Sequence, residues 1–404
     1  MPPAPPSPVT PAEVAATRRP VDEASLLPPR VFHDPAVLEF EQRAWFARSW
    51  VCVGREEDVA GPGAFLQVVV AGQSLLVVRG EDDVVRAFHN VCRHRGAQLC
   101  SEPSGRLVRI QCPYHAWTYT LDGRLRRASH TQDLVDFDTG DFGLAQASAA
   151  IWQGFVFLSL DPDPPELAGS MADLWQHIDR FPLAVLRRAD RIEYHVDANW
   201  KVIGENYSEC YHCPGVHPQL NHLTPYDKGQ NIESKGAWCG GWMELRDDVD
   251  TMSVDGLRHG RPSLPGVTAE DERRIYYFLV WPNLLLSLHP DYLMTHQVWP
   301  VEAGRSRVVC EWFFHPETLA EPGFDASDAI EFWDLTNRQD WVVCELQQRG
   351  TASMAYTPGR YSLMEDMVHA FDLMLADGYA ADGTTTRFPP RHDKWRAPAV
   401  VGTR

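Results

Sequence analysis

Apolar positions after Asp34 recur at helical spacing. Val37, Phe40, Ala44, Trp45 and Ala47 follow an Asp34-Pro35 pair that reads as an N-cap and first turn. A helix therefore leads into a first domain. From about residue 48 to 160 the pattern shortens into β-branched runs separated by turns: Phe65 to Val70, Ser74 to Val78, Val84 to His89, Ile110 to Cys112 and Ala116 to Thr120. Asp122-Gly123, after the last run, is a tight hairpin signal. These features predict a small antiparallel β domain. Beyond about residue 160, helical periodicity at roughly 170–180, 199–212, 326–348 and 363–377 surrounds strand patterns near 273–281, 284–288, 292–299 and 306–314. The second half is α+β with a meander of antiparallel strands.

The ends and the overall charge narrow the function classes. Prolines at 2, 3, 5, 6, 8 and 11 leave little apolar surface to offset ordering, so residues 1–27 are expected to be a disordered arm. The 404 residues are 44% apolar, enough for two domains with sizeable cores. A formal charge of −18 disfavours a phosphate backbone as partner, so no nucleic acid is expected. No apolar run approaches the roughly 18 residues of a membrane span, and the first thirty residues lack the apolar core of a secretory signal. The expectation is a cytoplasmic protein without a membrane partner. Nine scattered cysteines in so large a chain argue against a disulfide framework, and most are expected to be reduced core residues.

Two clusters carry chemistry. Cys92-Arg-His94 and Cys112-Pro-Tyr-His115 each offer one thiolate and one imidazole, with seventeen residues between His94 and Cys112. A 2Fe-2S rhomb with two sulfur ligands on one iron and two nitrogen ligands on the other needs paired loops of this kind. The other readings are a Cys2His2 zinc site or coincidence, and zinc fingers usually place both cysteines before both histidines.

The second cluster is the run from Asn199 to His217. Glu205, Glu209 and His212 fall at i, i+4 and i+7, one stripe if the segment is helical, and such a stripe is often only a solvated face. Pro214 and Gly215 then break the helix and let His217 turn toward His212. Two histidines and a carboxylate form the facial triad of non-heme Fe(II) oxygenases. For the distant carboxylate the segment 326–348 offers Asp334 and Asp340. Asp334 precedes Arg338 by four residues, an ordinary surface pair, whereas Asp340 lies on a stripe with Trp333, Asn337 and Cys344 and needs a cation to offset its burial.

Together with Trp117-Thr-Tyr119 and Asp122-Gly123, these motifs resemble the Rieske non-heme iron oxygenase family. The resemblance implies a Rieske 2Fe-2S domain over 48–160 held by Cys92, His94, Cys112 and His115. It implies a helix-grip-like catalytic domain, an antiparallel sheet with helices, formed by 28–47 and 161–404. There His212, His217 and Asp340 would hold a mononuclear Fe(II), Asp340 being also the Asp that the family sets before Glu-x-x-Gln, here Glu345 and Gln348. Asn206 and Glu209 belong to the catalytic segment. Glu209 would bridge His212 to a Rieske histidine of a neighbouring subunit, His115, so a head-to-tail homotrimer is implied. Electrons would come from a flavin/iron-sulfur reductase, with NADH or NADPH acting only through it, and O2 would be the oxidant.

Within the family, Glu205 to Pro218, Trp242-Met-Glu-Leu, Thr251-Met-Ser-Val-Asp-Gly, Pro282-Asn-Leu-Leu-Leu-Ser and Gly359-Arg-Tyr-Ser resemble the branch of glycine betaine, stachydrine, carnitine and choline monooxygenases. That implies oxidation of a betaine-like quaternary ammonium substrate by N-demethylation with release of formaldehyde. Trp238, Trp242, Tyr276, Phe278, Trp281 and Tyr292 are candidates for an aromatic cage around the cation. The alternatives are a Rieske oxygenase that hydroxylates an aromatic ring or another C–H bond, and a non-catalytic electron-transfer protein.

Overall fold

A computed structural model describes residues 5–380 as two compact units, Glu41–Ala168 and Pro5–Phe40 together with the chain from Gly169. The first unit holds a seven-stranded antiparallel sheet in the order Val51–Arg55, Phe155–Ser159, Gln146–Trp152, Val85–His89, Gln73–Arg79, Ala64–Val70, Ser104–Arg106. A smaller sheet joins Ile110–Gln111, Thr118–Tyr119 and Leu125–Arg127. Each run expected from the sequence contains a strand. Phe65, Leu76, Phe88, Trp117 and Tyr119 pack with Cys92 and Cys112 in one core. The Asp122-Gly123 turn closes as expected. Gly123 has φ +86°, and a Cβ there would come within 2.4 Å of the Phe88 ring, so only glycine fits.

The second unit is built on a seven-stranded antiparallel sheet in the order Arg187–Val196, Arg305–Phe314, Leu293–Glu302, Leu284–Leu288, Arg274–Val280, Trp238–Glu244, Gly229–Ile232. The helix Ser327–Thr351 buries Ala329, Phe332, Trp333, Thr336, Asn337, Cys344 and Gln348, a 3–4 repeat that fixes which face is inward. Asp340 falls within that repeat. Among the described residues, no helix is long and apolar enough to cross a membrane.

Two expectations change. Residues 5–27 are not a loose arm: Val9, Val14, Ala24 and Leu27 are buried. The Arg360 guanidinium donates to the Ala24 carbonyl at 2.6 Å, Leu26 N–H donates to the Gly359 carbonyl at 3.1 Å, and the His369 ring lies 3.0 Å from the Thr17 carbonyl. Turn-forming prolines and a few well-spaced apolar residues are sufficient to dock the segment, because proline has little backbone freedom to lose. Residues 1–4 lie outside the described range. The other change is the segment 199–212, where the helix spans only Trp200–Tyr207. Ser208 turns its hydroxyl back to the Gly204 carbonyl at 2.7 Å, and the chain leaves the helix there.

Candidate metal centres and cavity

In the first unit the two ligand loops are built alike. Cys92 N–H donates to the Ala97 carbonyl and Cys112 N–H to the Trp117 carbonyl, both at 2.8 Å. Gly96 and Ala116 N–H return to the Cys92 and Cys112 carbonyls, at 3.0 and 3.1 Å, with positive φ of 71° and 57°. Each loop thus presents its cysteine inward and its histidine two or three residues further on. The thiols are buried, and burial pushes the Cys92 pKa up, a penalty that metal coordination removes. The Tyr119 hydroxyl sits 3.4 Å from the Cys92 sulfur. The His94 and His115 rings lie 4.7 Å apart between centroids, and His94 stacks on Trp117. His115 Nδ1 is buried and has no partner among the described residues. A sulfur pair, an imidazole pair and an orphaned ring nitrogen suit a cluster with unlike ends.

In the second unit, one carboxylate oxygen meets two imidazoles. Asp340 Oδ1 is 2.8 Å from His217 Nε2 and 3.3 Å from His212 Nε2. The opposite nitrogens face acceptors: His212 Nδ1 is 2.5 Å from Glu209 Oε1, and His217 Nδ1 is 2.7 Å from Gln339 Oε1. Those acceptors hold the proton on each Nδ1, so that a bound metal would find both Nε2 atoms and the Asp340 oxygen as its ligands. Three electron-rich atoms converging in this way call for a cation. Burial disfavours a charged His212, yet Asp340 and Glu209 outweigh it and lift the ring to about 10, a proton standing in for that cation. The donor set, two neutral imidazoles and one carboxylate, fits Fe(II) with open positions. Asp334 is elsewhere, accepting from the Tyr194 hydroxyl at 2.8 Å and pairing with Arg338.

Glu209 and His212 do not share a helical face, since both follow the helix end. Glu209 instead caps the next turn: its Oε2 accepts from the backbone N–H of Tyr211 and of His212, while Oε1 holds the ring. Cys210 and Cys213, which flank His212, are joined as a disulfide across a Cα separation of 4.9 Å, unlike the reduced state expected of most cysteines. Their i, i+3 placement around a tight turn brings the sulfurs together.

A cavity of about 150 Å3 opens beside this centre, and Asn206, Glu209, His212, His217 and Asp340 line it. Of the six aromatic residues proposed for a cage, only Trp242 reaches it. The Trp238 indole donates to Asp173, the Tyr276 hydroxyl to Asp271 and the Tyr292 hydroxyl to the Met252 carbonyl, while Trp281 packs edge-on to Trp200 and Phe278 edge-on to Trp238. The aromatic lining is instead Tyr207, Tyr226, Tyr277, Trp333 and Trp341 beside Trp242. Along the strand Arg274–Val280, Tyr277 faces opposite to Tyr276 and Phe278, the ordinary two-residue alternation.

The comparisons agree with this geometry. Residues 49–138 match the Rieske [2Fe-2S] domain, and residues 183–381 match the catalytic domain of the ring hydroxylating alpha subunit. The glycine betaine monooxygenase oxygenase subunit of Pseudomonas aeruginosa (strain UCBPP-PA14) is 31% identical over 84% of this chain and 86% of its own. The chain belongs to the Rieske non-heme iron oxygenases. The chloroplastic choline monooxygenase of Arabidopsis thaliana is 28% identical to the oxygenase over 88% of this chain and 83% of its own. The crystal structure of the quaternary ammonium Rieske monooxygenase CntA with L-carnitine superposes at a TM-score of 0.75, with 26% identity, over 92% of this chain and 99% of that one.

Polar clamps that the motifs alone did not explain hold the segments of the oxygenase that carry the candidate ligands. Gln348 Oε1 accepts from Asn199 N–H at 2.9 Å, and Asn199 caps the helix Trp200–Tyr207 by accepting from Lys201 N–H at 3.0 Å. One turn on, Gln347 donates to Glu205 at 2.9 Å. These two bonds fix the helix carrying Asp340 against the one that leads into Glu209. Gln339, beside Asp340 in sequence, was missed as a partner of His217, and only its proximity to a candidate ligand could have signalled it.

Proposed function

We propose that this oxygenase uses O2 and reductase-supplied electrons to oxidise a quaternary ammonium substrate, and that it removes an N-methyl group as formaldehyde. The observation that carries the reading is the convergence of His212, His217 and Asp340 beside an aromatic cavity whose charged lining is acidic. Relatives named for glycine betaine and choline, and a fold relative bound to L-carnitine, support the ammonium class. In this reading His212, His217 and Asp340 hold the Fe(II), and Cys92, His94, Cys112 and His115 hold the 2Fe-2S cluster. The iron supplies activation of O2 for insertion into a C–H bond. The protein holds the rings in one tautomer, surrounds the ammonium with ring faces and limits water. Hydroxylation of an N-methyl carbon consumes O2, two electrons and two protons and releases water. The hydroxymethyl ammonium then loses formaldehyde and a proton, leaving the tertiary amine.

The same reading includes a homotrimer in which Glu209 carries electrons from His115 of the partner subunit. Supporting an assembly, the helix Ser327–Thr351 exposes Leu335, Val342 and Leu346, a single outward apolar stripe with side chains too exposed for a monomer core. Light scattering should return three chain masses of 45.6 kDa. The enzymatic reading is tested by coupled turnover with a surrogate reductase, following formaldehyde and loss of glycine betaine, L-carnitine and choline. Stoichiometric formaldehyde and about three irons per chain are expected. A hydroxylated aromatic product with no amine turnover would overturn it.

A further inference from the structure

The helix that carries Asp340 ends at Thr351, and the next helix begins at Asp366. Residues 352–365 between them form no helix or strand, a length of irregular chain that is uncommon inside a compact unit and is usually tied to function. Met354 and Leu363 leave their side chains exposed, and the buried ring of Tyr361 falls in one apolar cluster with Val21, Ala24 and Leu26 of the N-terminal segment. The far end of this connection is nevertheless built into the cavity. Met364, Asp366 and Met367 line the wall, and Asn231 of the edge strand Gly229–Ile232 donates to the Asp366 carboxylate.

The N-terminal segment anchors that wall on both sides. Ser25 and Arg360 form a β-bridge, and beside it Leu26 N–H donates to the Gly359 carbonyl at 3.1 Å. The Arg360 guanidinium reaches back to the Ala24 carbonyl at 2.6 Å and to the Asp22 carbonyl. Two further ties follow the helix Asp366–Ala380: the His369 ring to the Thr17 carbonyl at 3.0 Å, and Arg18 to Asp377 at 2.6 Å. His369 and Asp377 are about 12 Å apart along the helix axis. The segment therefore grips the chain just before the cavity residues and again after them.

We infer that segment 5–27 is a strap that positions the Met364–Met367 wall, with Arg360 as the positioning residue, so that a segment contributing no residue to the cavity lining sets affinity for the substrate. The inference rests on the reading of this cavity as the substrate site. Its physical basis is preorganisation: a wall held in place beforehand need not be ordered by the ligand, whereas a wall released from its anchor takes the ordering cost out of affinity. None of the bonds just described involves His212, His217 or Asp340, so release acts on KM and spares the iron.

The test compares the iron-loaded holoenzyme with variants of the strap. Arg360→Met keeps the stem but removes the donors to Ala24 and Asp22, Arg360→Lys keeps a donor, and deletion of residues 1–27 takes away the whole strap. Hydrogen exchange of amides 362–368 should quicken by about ten-fold or more in Arg360→Met and in the truncated chain, with the strand Arg274–Val280 unchanged. KM for whichever of choline, glycine betaine and L-carnitine is turned over should rise by about ten-fold with kcat within about two-fold, and tetramethylammonium should bind about ten-fold more weakly by calorimetry. Arg360→Lys should stay within about three-fold of the parent. Unchanged exchange at 362–368, or a lowered Tm with KM and tetramethylammonium affinity at parental values, would overturn the strap and leave the ammonium reading standing. An equal rise of KM in Arg18→Ala, which removes a tie remote from the wall, would overturn it too, showing that the segment only stabilises the fold. If the parent neither binds nor turns over any of these ammonium compounds, that reading falls, and hydrogen exchange alone decides the strap.

Discussion

Gln339 holds the Nδ1 proton of His217 at 2.7 Å, and that bond decides which nitrogen of the ring faces Asp340. A neutral amide here fixes the tautomer without adding charge to a centre that already has two carboxylates, Asp340 and Glu209. Gln339→Leu leaves Nδ1 without an acceptor and lets the other tautomer compete. Iron affinity should fall by about 10- to 100-fold, the usual cost of losing such a partner. Anaerobic iron titration of the apoprotein measures it, and the 2Fe-2S absorption of the variant should be unchanged.

Glu209 has two tasks in one side chain: Oε1 on the His212 ring and Oε2 on the N–H groups of Tyr211 and His212. Glu209→Gln retains an acceptor but loses the charge that, in the trimer proposed above, stands between the cluster of one subunit and the iron of the next. The variant should bind iron and cluster, yet transfer between them should slow by about 10- to 100-fold. A chemically reduced sample exposed to O2 and substrate should keep its cluster reduced through the time of one wild-type turnover. Rapid cluster oxidation with product formation would show that Glu209 is only a cap.

A buried acid pair behind the centre makes stability depend on pH. Burial raises Glu205 to about 7 from its ordinary 4.5 and Glu365 adds repulsion, while Asp372, itself pushed well up by burial and by Glu205, keeps its proton and shares it with Glu205 in a hydrogen bond. The Gln347 amide, that Asp372 bond and Lys201 partly oppose the rise, and the Tyr361 hydroxyl donates to Asp372 at 2.7 Å. A folded-state pKa above the unfolded one means that the native chain binds more protons between pH 4.5 and about 7. The contribution is full below the lower value and is lost as pH rises through the upper one, by at most about 3 kcal/mol. Thermal denaturation of the metal-free chain should show Tm falling from pH 5.5 to 8 in part through this pair. Glu205→Gln should flatten that slope; an unchanged slope would exclude Glu205 as its source.

The parts of this site that could be read in the sequence are those set by ligand order. Cys92, His94, Cys112 and His115 stand out because two short loops of unlike ligands have few other uses, and the structure brings both loops into one core. Asp340 could be told from Asp334 because a carboxylate on a buried helical stripe demands a partner. The helix end at Ser208 was not legible: Glu205, Glu209 and His212 keep helical spacing, and only the hydroxyl returning to Gly204 shows where the helix stops. The cage was misread for a related reason. In the strand Arg274–Val280 both faces are largely covered, so no polar side marks which aromatic residues look into the cavity. The docked segment 5–27 was hidden because its few apolar contacts are with Gly359 to His369, far along the chain.

The contrast between Asp334 and Asp340 gives the cleanest check of the centre, because both sit on one helix six residues apart. Asp334→Ala removes an exposed pair with Arg338 and a bond from the Tyr194 hydroxyl. It should cost about 1 kcal/mol of stability and leave turnover near wild type. Asp340→Ala removes the carboxylate that, among the described residues, both imidazoles share. Its iron count should drop from about three to about two per chain, with the visible spectrum of the cluster intact and turnover lost. The metal-free variant should also be less stable than the metal-free parent, because Asp340 is then paired with the protonated His212 ring and its loss takes away one of that ring's two carboxylate partners. Iron analysis beside denaturation of the apoproteins separates the two roles: a destabilised Asp340→Ala apoprotein that still binds three irons would move the third ligand elsewhere.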